Sequence, residues 1–566
     1  MKKSYRLILA VSMAVIAIAA AYFKMGIFFE TNDDRIISEI LSGAITYTPD
    51  AYVQIISYLL SAPLALLYKM VNGIPWYGGC LILFHLISYI AINGSILSRC
   101  NKRFELLFGI ILCVVIFLIN LYSIGLIQWT STAALLALAG YIILISKFNV
   151  RAVLVFAGFE LLAFLLRDEA MLMIQPLGGA VFLGLFFSKE KWRQKEQRKL
   201  IFKWALAIAG VFVIGITSRW IVYRSEDWKT ADAYYDARVK LVDYYGIPDY
   251  MEVKEILDRY QITQTEYEGF AKGIMIGSNI NANCLRELAK YAKSKNAPAI
   301  NWPAILRESV MRFMTEDSLS GNRFAGILWI CMLFWIIVTR NKTLIVPAAG
   351  LIIARTFVWG YVIYKGRMPA RVTYPLFFAE IVFLLFMIWA TYTSMSDRTF
   401  WRQGVALCIC GIVVLNGYGI GQRQYRYVDM ENKSQAIYIR GYNEIKEYCV
   451  RNPERRYILD SFSFSFYKGS ALETSIYKPA NGIYAGAWIS QSPIIKDYEK
   501  EYLGENWEDF YVIVYDDGQP QEVQETYVTV RYYTEKTGKN PVVSDKLTVS
   551  HGGSYLIWHF GGEEID

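Results

Sequence analysis

Charge is scarce in this chain. Only 19% of its 566 residues are Asp, Glu, Lys or Arg, against about a quarter in an average soluble protein. Histidine is scarcer. The three present (His85, His551, His559) form no local ligand motif, which leaves haem, zinc and histidine-based hydrolase chemistry without support. Eight cysteines contain no Cys-x-x-Cys pair. Cys80, Cys113, Cys331, Cys408 and Cys410 fall in apolar runs and Cys100 in a basic stretch. Cys284 and Cys449 alone lie in polar segments, so those segments can hold at most one disulfide. There is no Walker A motif and no Gly-rich dinucleotide signature in a strand–helix setting. ATP and nicotinamide cofactors are therefore not expected, and the energy for any reaction would come from an activated substrate or a gradient. No internal repeat or low-complexity tract is present.

What is abundant is apolar mass. Hydrophobic residues make up 55% of the chain and aromatics 15%, gathered into blocks separated by charged stretches. A helix needs about 20 apolar residues to cross roughly 30 Å of hydrocarbon. Eleven runs approach that length, at approximately 7–23, 79–97, 106–120, 130–146, 152–166, 170–187, 204–222, 325–339, 343–364, 376–393 and 404–421. Lys and Arg orient them. With a cytoplasmic N-terminus, segments 1–6, 98–105, 147–151, 188–203, 340–342 and 394–403 lie inside and carry nineteen Lys and Arg. The short outer loops 121–129, 167–169 and 365–375 carry four. Residues 51–71 are apolar enough to span, but a crossing there would turn 188–203 outward. They also contain Gln54, Ser57, Tyr58, Ser61 and Pro63. They are expected to form a helix along the outer interface or against the bundle, opened by Thr48-Pro49 and stopped by Asn72-Gly73. The N-terminus also has signal-peptide character, and either reading starts the following segment outside.

The expected architecture is an α-helical polytopic membrane protein with about eleven transmembrane helices and a C-terminal extracytoplasmic α+β domain. Residues 1–421 form the membrane domain, with a first outer loop at 24–78 and a large outer loop at 224–322. Residues 422–566 form the soluble domain. The large loop carries the capping box Thr263-Gln-Thr-Glu266 and a helix start at Asn301-Trp302-Pro303. The C-terminal domain begins with an amphipathic helix near 434–450. The strand-like runs RRYILDSF, DFYVIVYD, TYVTVRYY, KLTVSHGG and SYLIWHF follow.

The most informative stretch is Thr31-Asn32-Asp33-Asp34-Arg35, about ten residues beyond the first apolar run. A carboxylate there could accept the proton of an attacking hydroxyl, and its neighbour could hold the acceptor or a divalent cation. The plainer reading makes the pair an N-cap for the amphipathic helix IISEILSG, closed by Gly43. Arg167-Asp168-Glu169 falls at the outer end of a membrane run, where it is a second acidic site or a helix-end charge cluster. The loop Lys365-Gly366-Arg367-Met368-Pro369-Ala370-Arg371 sets three cations outside, against the positive-inside bias. Such cations suit a phosphate leaving group, lipid headgroups or outer-loop carboxylates. Glu160, Arg219, Arg355 and Glu380 lie within apolar runs. A charge at membrane depth costs about 2.5–3.5 kcal/mol, so each should have a partner or line a wet cavity. Arg355 is the phosphate candidate of the four, while Arg219 and Glu380 are placed to snorkel. Trp76, Tyr77, Trp129, Trp302, Trp359 and Tyr361 read as an aromatic belt, with stacking on a sugar ring as the alternative.

The arrangement resembles the GT-C glycosyltransferases, polytopic enzymes that use lipid-phosphate-linked sugars. The likeness covers roughly residues 1–420. It rests on the topology, on Asp33-Asp34 followed by YTPDAYVQIISYLLSAPLALLYKMVNGIPWYG, and on LIQWTSTAALLALAGYIIL, FLLRDEAMLMIQPL and YKGRMPARVTYPL, which look like stretches of bacterial members. The resemblance implies sugar transfer from a polyprenyl-phosphate donor to a cell-envelope glycan, lipid or protein acceptor, with Asp33 or Asp34 catalytic. Asp168 or Glu169 would supply the second acidic group, and Arg167, Arg355, Arg367 and Arg371 the donor-phosphate contacts. It leaves open a Mg2+ or Mn2+ ion on Asp33, Asp34 and Asp168, and it implies no nucleic acid. No WWD-type signature is present, which argues against an oligosaccharyltransferase. An O-antigen-type polymerase or ligase, a glycan-lipid flippase and a membrane-anchored interaction protein are the competing readings. For the enzyme reading, Asp33/Asp34, Asp168/Glu169 and Arg367/Arg371 should converge on one cavity with Arg355 beneath it.

Overall fold

The computed structural model describes residues 3–188, 190–274, 278–296, 301–315, 319–395, 399–473, 481–486, 488–503, 507, 509–521, 524 and 526–561. Of the basic segments above, residues 1–2, 189 and 396–398 lie outside the described residues.

The apolar runs fold as helices. The first half of the chain forms α1 (Lys3–Met25), α2 (Asn32–Ser42), α3 (Tyr58–Met70), α4 (Trp76–Leu97), α5 (Arg103–Leu118), α6 (Leu121–Gly125), α7 (Trp129–Ser146), α8 (Val150–Ser188) and α9 (Lys195–Val222). Two short strands, β1 (Phe28–Phe29) and β2 (Leu126–Ile127), pair in parallel among them. The expected large outer loop is a helical unit: α10 (Glu226–Val239), α11 (Tyr250–Arg259), α12 (Gln264–Ala271), α13 (Ala282–Asn296) and α14 (Trp302–Met311). A core of Leu241, Val253, Leu257, Leu285 and Leu288 closes it. Then come α15 (Asn322–Thr339), α16 (Ile345–Lys365), α17 (Ala370–Ser394) and the long α18 (Phe400–Arg451). α18 runs unbroken through residues 421 and 422, so the expected boundary falls inside a helix. The C-terminal part adds β3 (Tyr457–Asp460), β4 (Gly482–Ala485), α19 (Pro493–Leu503), β5 (Phe510–Asp516), α20 (Tyr527–Thr537), β6 (Val542–Thr548) and β7 (Ser554–Phe560).

Among the described residues, nine helices are long and apolar enough to cross a membrane: α1, α4, α7, α8, α9, α15, α16, α17 and α18. α8 is two arms meeting at Arg167, whose backbone leaves the helical region (φ −160°, ψ 102°). α5 has 16 residues. The basic segments gather at one end of the bundle: Arg6 donates to the Ser98 carbonyl, Arg99 to that of Ser146, and Lys191 lies over the Phe148 ring. Residues 51–57 are not helical. α3 starts after Ser57, whose N–H donates to the Leu165 carbonyl, so the expected start at Thr48-Pro49 is corrected by nine residues. At 13 residues, or roughly 20 Å at 1.5 Å per residue, α3 is too short to span. It packs beside α2, α4, α8 and α9.

The C-terminal sheet has order β4-β3-β5-β7-β6, with β4, β3 and β5 parallel and β7 and β6 antiparallel. The run TYVTVRYY, expected as a strand, is helical in α20. Its buried residues Thr529, Val530, Tyr532 and Tyr533 recur at three- and four-residue spacing, which fits one helix face. Val530 and Tyr533 join Phe510, Val512 and Phe560 in one core. The capping box forms by half. Thr263 accepts from the Glu266 N–H, but the Glu266 carboxylate turns to Ser278 and the Asn279 N–H. Asn301 caps α14 as expected, accepting from the Ala304 N–H. Cys284 and Cys449 are both free and buried.

Candidate active site

The acidic stretch is fixed in space by backbone pairing on both sides. β1 lies parallel to β2, with the Glu30 N–H donating to the Ile127 carbonyl. On its other side Phe29 N–H donates to Gly469 and Ala471 N–H to Ile27. A strand so held delivers α2 at one angle, with Thr31 extended at its N-cap and Gly43 left-handed at its end (φ 78°).

The two aspartates then part company. Asp34 is fully buried. Its Oδ1 accepts from the Tyr77 hydroxyl at 2.9 Å and the Trp129 N–H at 3.1 Å, and its Oδ2 from the Thr31 hydroxyl at 3.2 Å. Trp129 opens α7, so Asp34 satisfies one of the N–H groups that a helix start leaves unpaired. Asp33 is half-buried and has no hydrogen bond or ion pair among the described residues. Burial pushes its carboxyl above the ordinary range. The guanidinium groups of Arg371, Arg167 and Arg238 pull it down, and Asp243 pushes it up. Glu30, three residues earlier, is pushed up to about 7 by burial, against the pull of Arg371, the Tyr122 hydroxyl and Lys468.

Arg167, Arg367 and Arg371 meet at one cavity of about 440 Å³, which Glu169, Lys365, Thr130 and Tyr244 also line. Its apolar lining comes from Leu172, Met173 and Pro176 of the second arm of α8 and from Phe357, Val358 and Tyr361 of α16. Arg167 bonds Glu169 at 2.7 Å and lies 4.2 Å from the Trp129 ring centre. Arg367 bonds Asp243 at 2.8 Å. Asp243 and Tyr244 sit in a π-helical turn, 240–245, that extends α10. Such turns aim side chains that a regular α-helix would point elsewhere. Arg371 has no hydrogen bond or ion pair among the described residues, and its charge acts on both Glu30 and Asp33.

Asp33, Arg167, Glu169, Arg367 and Arg371 are thus brought to one region. Others are not. Asp168 is exposed, and its Oδ1 accepts from the Glu169 N–H. Arg355 does not line the cavity. It is 1% exposed, bonds Glu380 at 2.8 Å, donates to the Ser309 carbonyl and lies 3.6 Å from the Phe313 ring centre. Glu380, expected to snorkel, is fully buried in that pair. Arg219 reaches Asp232 at 3.6 Å, and Glu160 accepts from Gln175. The belt expectation fails for Tyr77, Trp129 and Trp359, which are internal, whereas Trp302 and Tyr361 are exposed. Among the described residues no three His, Cys, Asp or Glu converge as a metal site. With Asp34 saturated and Asp168 exposed, the set Asp33, Asp34 and Asp168 does not fit a Mg2+ or Mn2+ ion.

Sequence reasoning missed Glu30, Arg238, Asp243 and Tyr244. The last three lie in a charged helical segment whose residues look alike until folded. It also missed Arg35, which leaves α2 opposite Asp33 and enters the C-terminal unit. Arg35 pairs with Glu39 at 2.9 Å and donates to the Tyr484 hydroxyl at 3.0 Å. Its guanidinium lies 5.5, 4.9 and 5.2 Å from the ring centres of Tyr442, Tyr467 and Tyr484.

No family model, no curated protein and no solved structure matches this chain.

Proposed function

We propose that this protein is an integral-membrane glycosyltransferase of the GT-C type. It moves a sugar from a polyprenyl-phosphate donor to a cell-envelope glycan, lipid or protein acceptor on the non-cytoplasmic face. The observation that carries the reading is that Asp33, just beyond the first helix, lies within the influence of Arg167 and Arg371 from far along the chain, and that these two arginines line a cavity together with apolar residues of α8 and α16. The same cavity shares Phe357 and Tyr361 with an apolar groove of about 640 Å³ between α14 and α16. A charged head beside an open apolar groove fits a lipid phosphate better than a soluble nucleotide sugar.

In this reading α8 crosses twice and α5 once, so the nine long helices become eleven crossings. The N-terminus is then cytoplasmic under the positive-inside rule, and the C-terminal domain lies on the other side. The acceptor hydroxyl gives its proton to Asp33 as its oxygen attacks the anomeric carbon, with inversion. The bond from that carbon to the phosphate oxygen breaks, and the electron pair leaves with the lipid phosphate. Arg371, Arg367 and Arg167 receive the charge. Asp34 does not react; it ties α2 to α7.

The test uses the purified chain in nanodiscs with a panel of radiolabelled polyprenyl-phosphate monosaccharides and measures release of polyprenyl phosphate. Asp33→Asn should lower release by about 10²–10⁴-fold with an unchanged melting temperature. Unchanged release in that variant, or no release by the native chain from any donor, refutes the proposal. An O-antigen-type polymerase or ligase would survive loss of Asp33. A flippase would move lipid-linked glycan without releasing phosphate.

A further inference from the structure

A second cavity, of about 540 Å³, lies in the C-terminal unit, away from Asp33. Its position follows from the sheet. β3 is the first strand; β4 is laid on one side of it and β5 on the other, all three parallel. The chain therefore leaves the carboxyl ends of β3 and β5 in opposite directions, and a crevice opens between them. In open α/β sheets this switch point is where ligands bind. The cavity is lined by the residues that follow β3, by the end of β5 and by the β6–β7 turn.

The crevice is held open by a buried carboxylate. Asp460 ends β3 and accepts from the Phe462 N–H, the Ser463 hydroxyl and the Thr529 hydroxyl at 2.9–3.0 Å. Ser463 in turn accepts from the Tyr515 N–H at 2.9 Å. Both strand ends are thus fixed before any ligand arrives.

The walls are aromatic. Tyr438, Phe462, Phe466, Tyr515 and His551 are all half-buried. Tyr438 lies 5.0 Å from Phe466 and 5.2 Å from His551, and Phe466 lies 6.0 Å from Tyr515, centre to centre. Five rings left partly open in a polar domain are an unusual exposure. Of the polar lining groups, the Ser463, Ser465 and Thr526 hydroxyls donate to Asp460 and to the Phe462 and Tyr515 carbonyls, which leaves Asp517 and His551. Asp517 is exposed; its Oδ1 accepts from the Gln519 N–H, and its Oδ2 has no partner among the described residues. His551 Nδ1 accepts from the Gly553 N–H at 3.1 Å. A neutral ring then carries its proton on Nε2, which also has no partner among the described residues. No Lys or Arg lines the cavity. Lys272 lies over the Phe462 ring, with its ammonium 4.9 Å from the centre.

We infer that the C-terminal unit carries a binding site for an uncharged saccharide in this crevice. The apolar C–H face of a pyranose would lie on Phe466 and Tyr515, with its hydroxyls meeting Asp517 Oδ2 and His551 Nε2–H. A site of this volume, with five rings among its eleven lining residues and polar groups between them, has the form of a small-ligand pocket. A phosphorylated or acidic ligand would meet Asp517 and no cation. The inference does not depend on the glycosyltransferase reading. The residues after β3 nonetheless line this crevice and then run directly into the 469–471 stretch that pairs with β1, so a glycan bound here would lie on the segment that positions Asp33.

The full chain in nanodiscs is tested by calorimetry and saturation-transfer NMR against cellotetraose, maltotetraose, mannotetraose and chitotetraose, with uridine monophosphate and phosphocholine alongside. At least one saccharide should bind. Tyr515→Ala should weaken it by about tenfold or more. Asp517→Asn, at an exposed side chain that leaves the fold untouched, should weaken it with an unchanged melting temperature. Asp33→Asn should bind it as the native chain does, which separates this site from the proposed catalytic one. The inference is overturned if no saccharide binds, if only uridine monophosphate or phosphocholine binds, or if saccharide binding survives both cavity variants or is lost in Asp33→Asn.

Discussion

Asp33 and Asp34 are neighbours with opposite fates, and the difference is a matter of partners. Asp34 is saturated by Tyr77, Trp129 and Thr31. In Asp34→Ala two buried donors lose their acceptor, at a cost of about 1–3 kcal/mol each. Thermal denaturation should show a clear fall in melting temperature, where Asp33→Asn shows none. In the proposed mechanism Asp33 acts as a base only when ionised, so the rate should rise with pH through its pKa. Burial raises that pKa, which sets the acid limb of kcat/KM above the ordinary carboxylate value of about 3.9. Arg371 is the first of the charges that lower it. Arg371→Gln should therefore move the limb to higher pH and raise KM for the lipid donor. A limb that stays in place would place Arg371 outside the reacting charges.

Between elements the decisive contacts are close approaches of backbone. Gly78, in the first turn of α4, faces the Ala471 carbonyl so closely that an added Cβ would stand 1.7 Å from it. The same Ala471 donates its N–H to Ile27, so α4, β1 and the C-terminal segment share one joint. Gly78→Ala should destabilise the chain by about 1–3 kcal/mol through overpacking, read as a lower melting temperature. If the joint sets the angle of α2, turnover should fall in the same variant. A melting temperature equal to the native one would show that the segment is free to move away. At this scale α20 also departs from its sequence pattern. Val, Thr and Tyr favour strands, but burial on the sheet and the Thr529–Asp460 hydrogen bond outweigh that preference.

Across the whole molecule, Arg35 is the bolt between the membrane part and the C-terminal unit. It carries its charge into a buried nest of Glu39, Tyr442, Tyr467 and Tyr484. Removing one member of a buried pair leaves the other uncompensated, at about 3–5 kcal/mol. Arg35→Leu should loosen the C-terminal unit and expose residues 452–456 to limited proteolysis, with cleavage faster than in the native chain. Equal cleavage rates would mean that backbone pairing alone holds the two parts together.

The apolar blocks, the gathering of Lys and Arg at alternate block ends and the helix opened at Thr31 and closed by Gly43 were legible in the residues. Each depends on local composition, period or a single cap. What local pattern could not carry was partnership over long separations. Trp129 N–H selects Asp34 rather than Asp33 as the structural acceptor. Glu380 takes Arg355 out of reach of any phosphate. A π-helical turn sets Asp243 against Arg367 and Tyr244 in the cavity wall, and a switch point in a sheet gathers five rings from four distant stretches. Charge and hydrophobicity are properties of single residues and so can be read along a line. Which charge is neutralised, and which ring is left open, follows only from what the folded chain sets beside it.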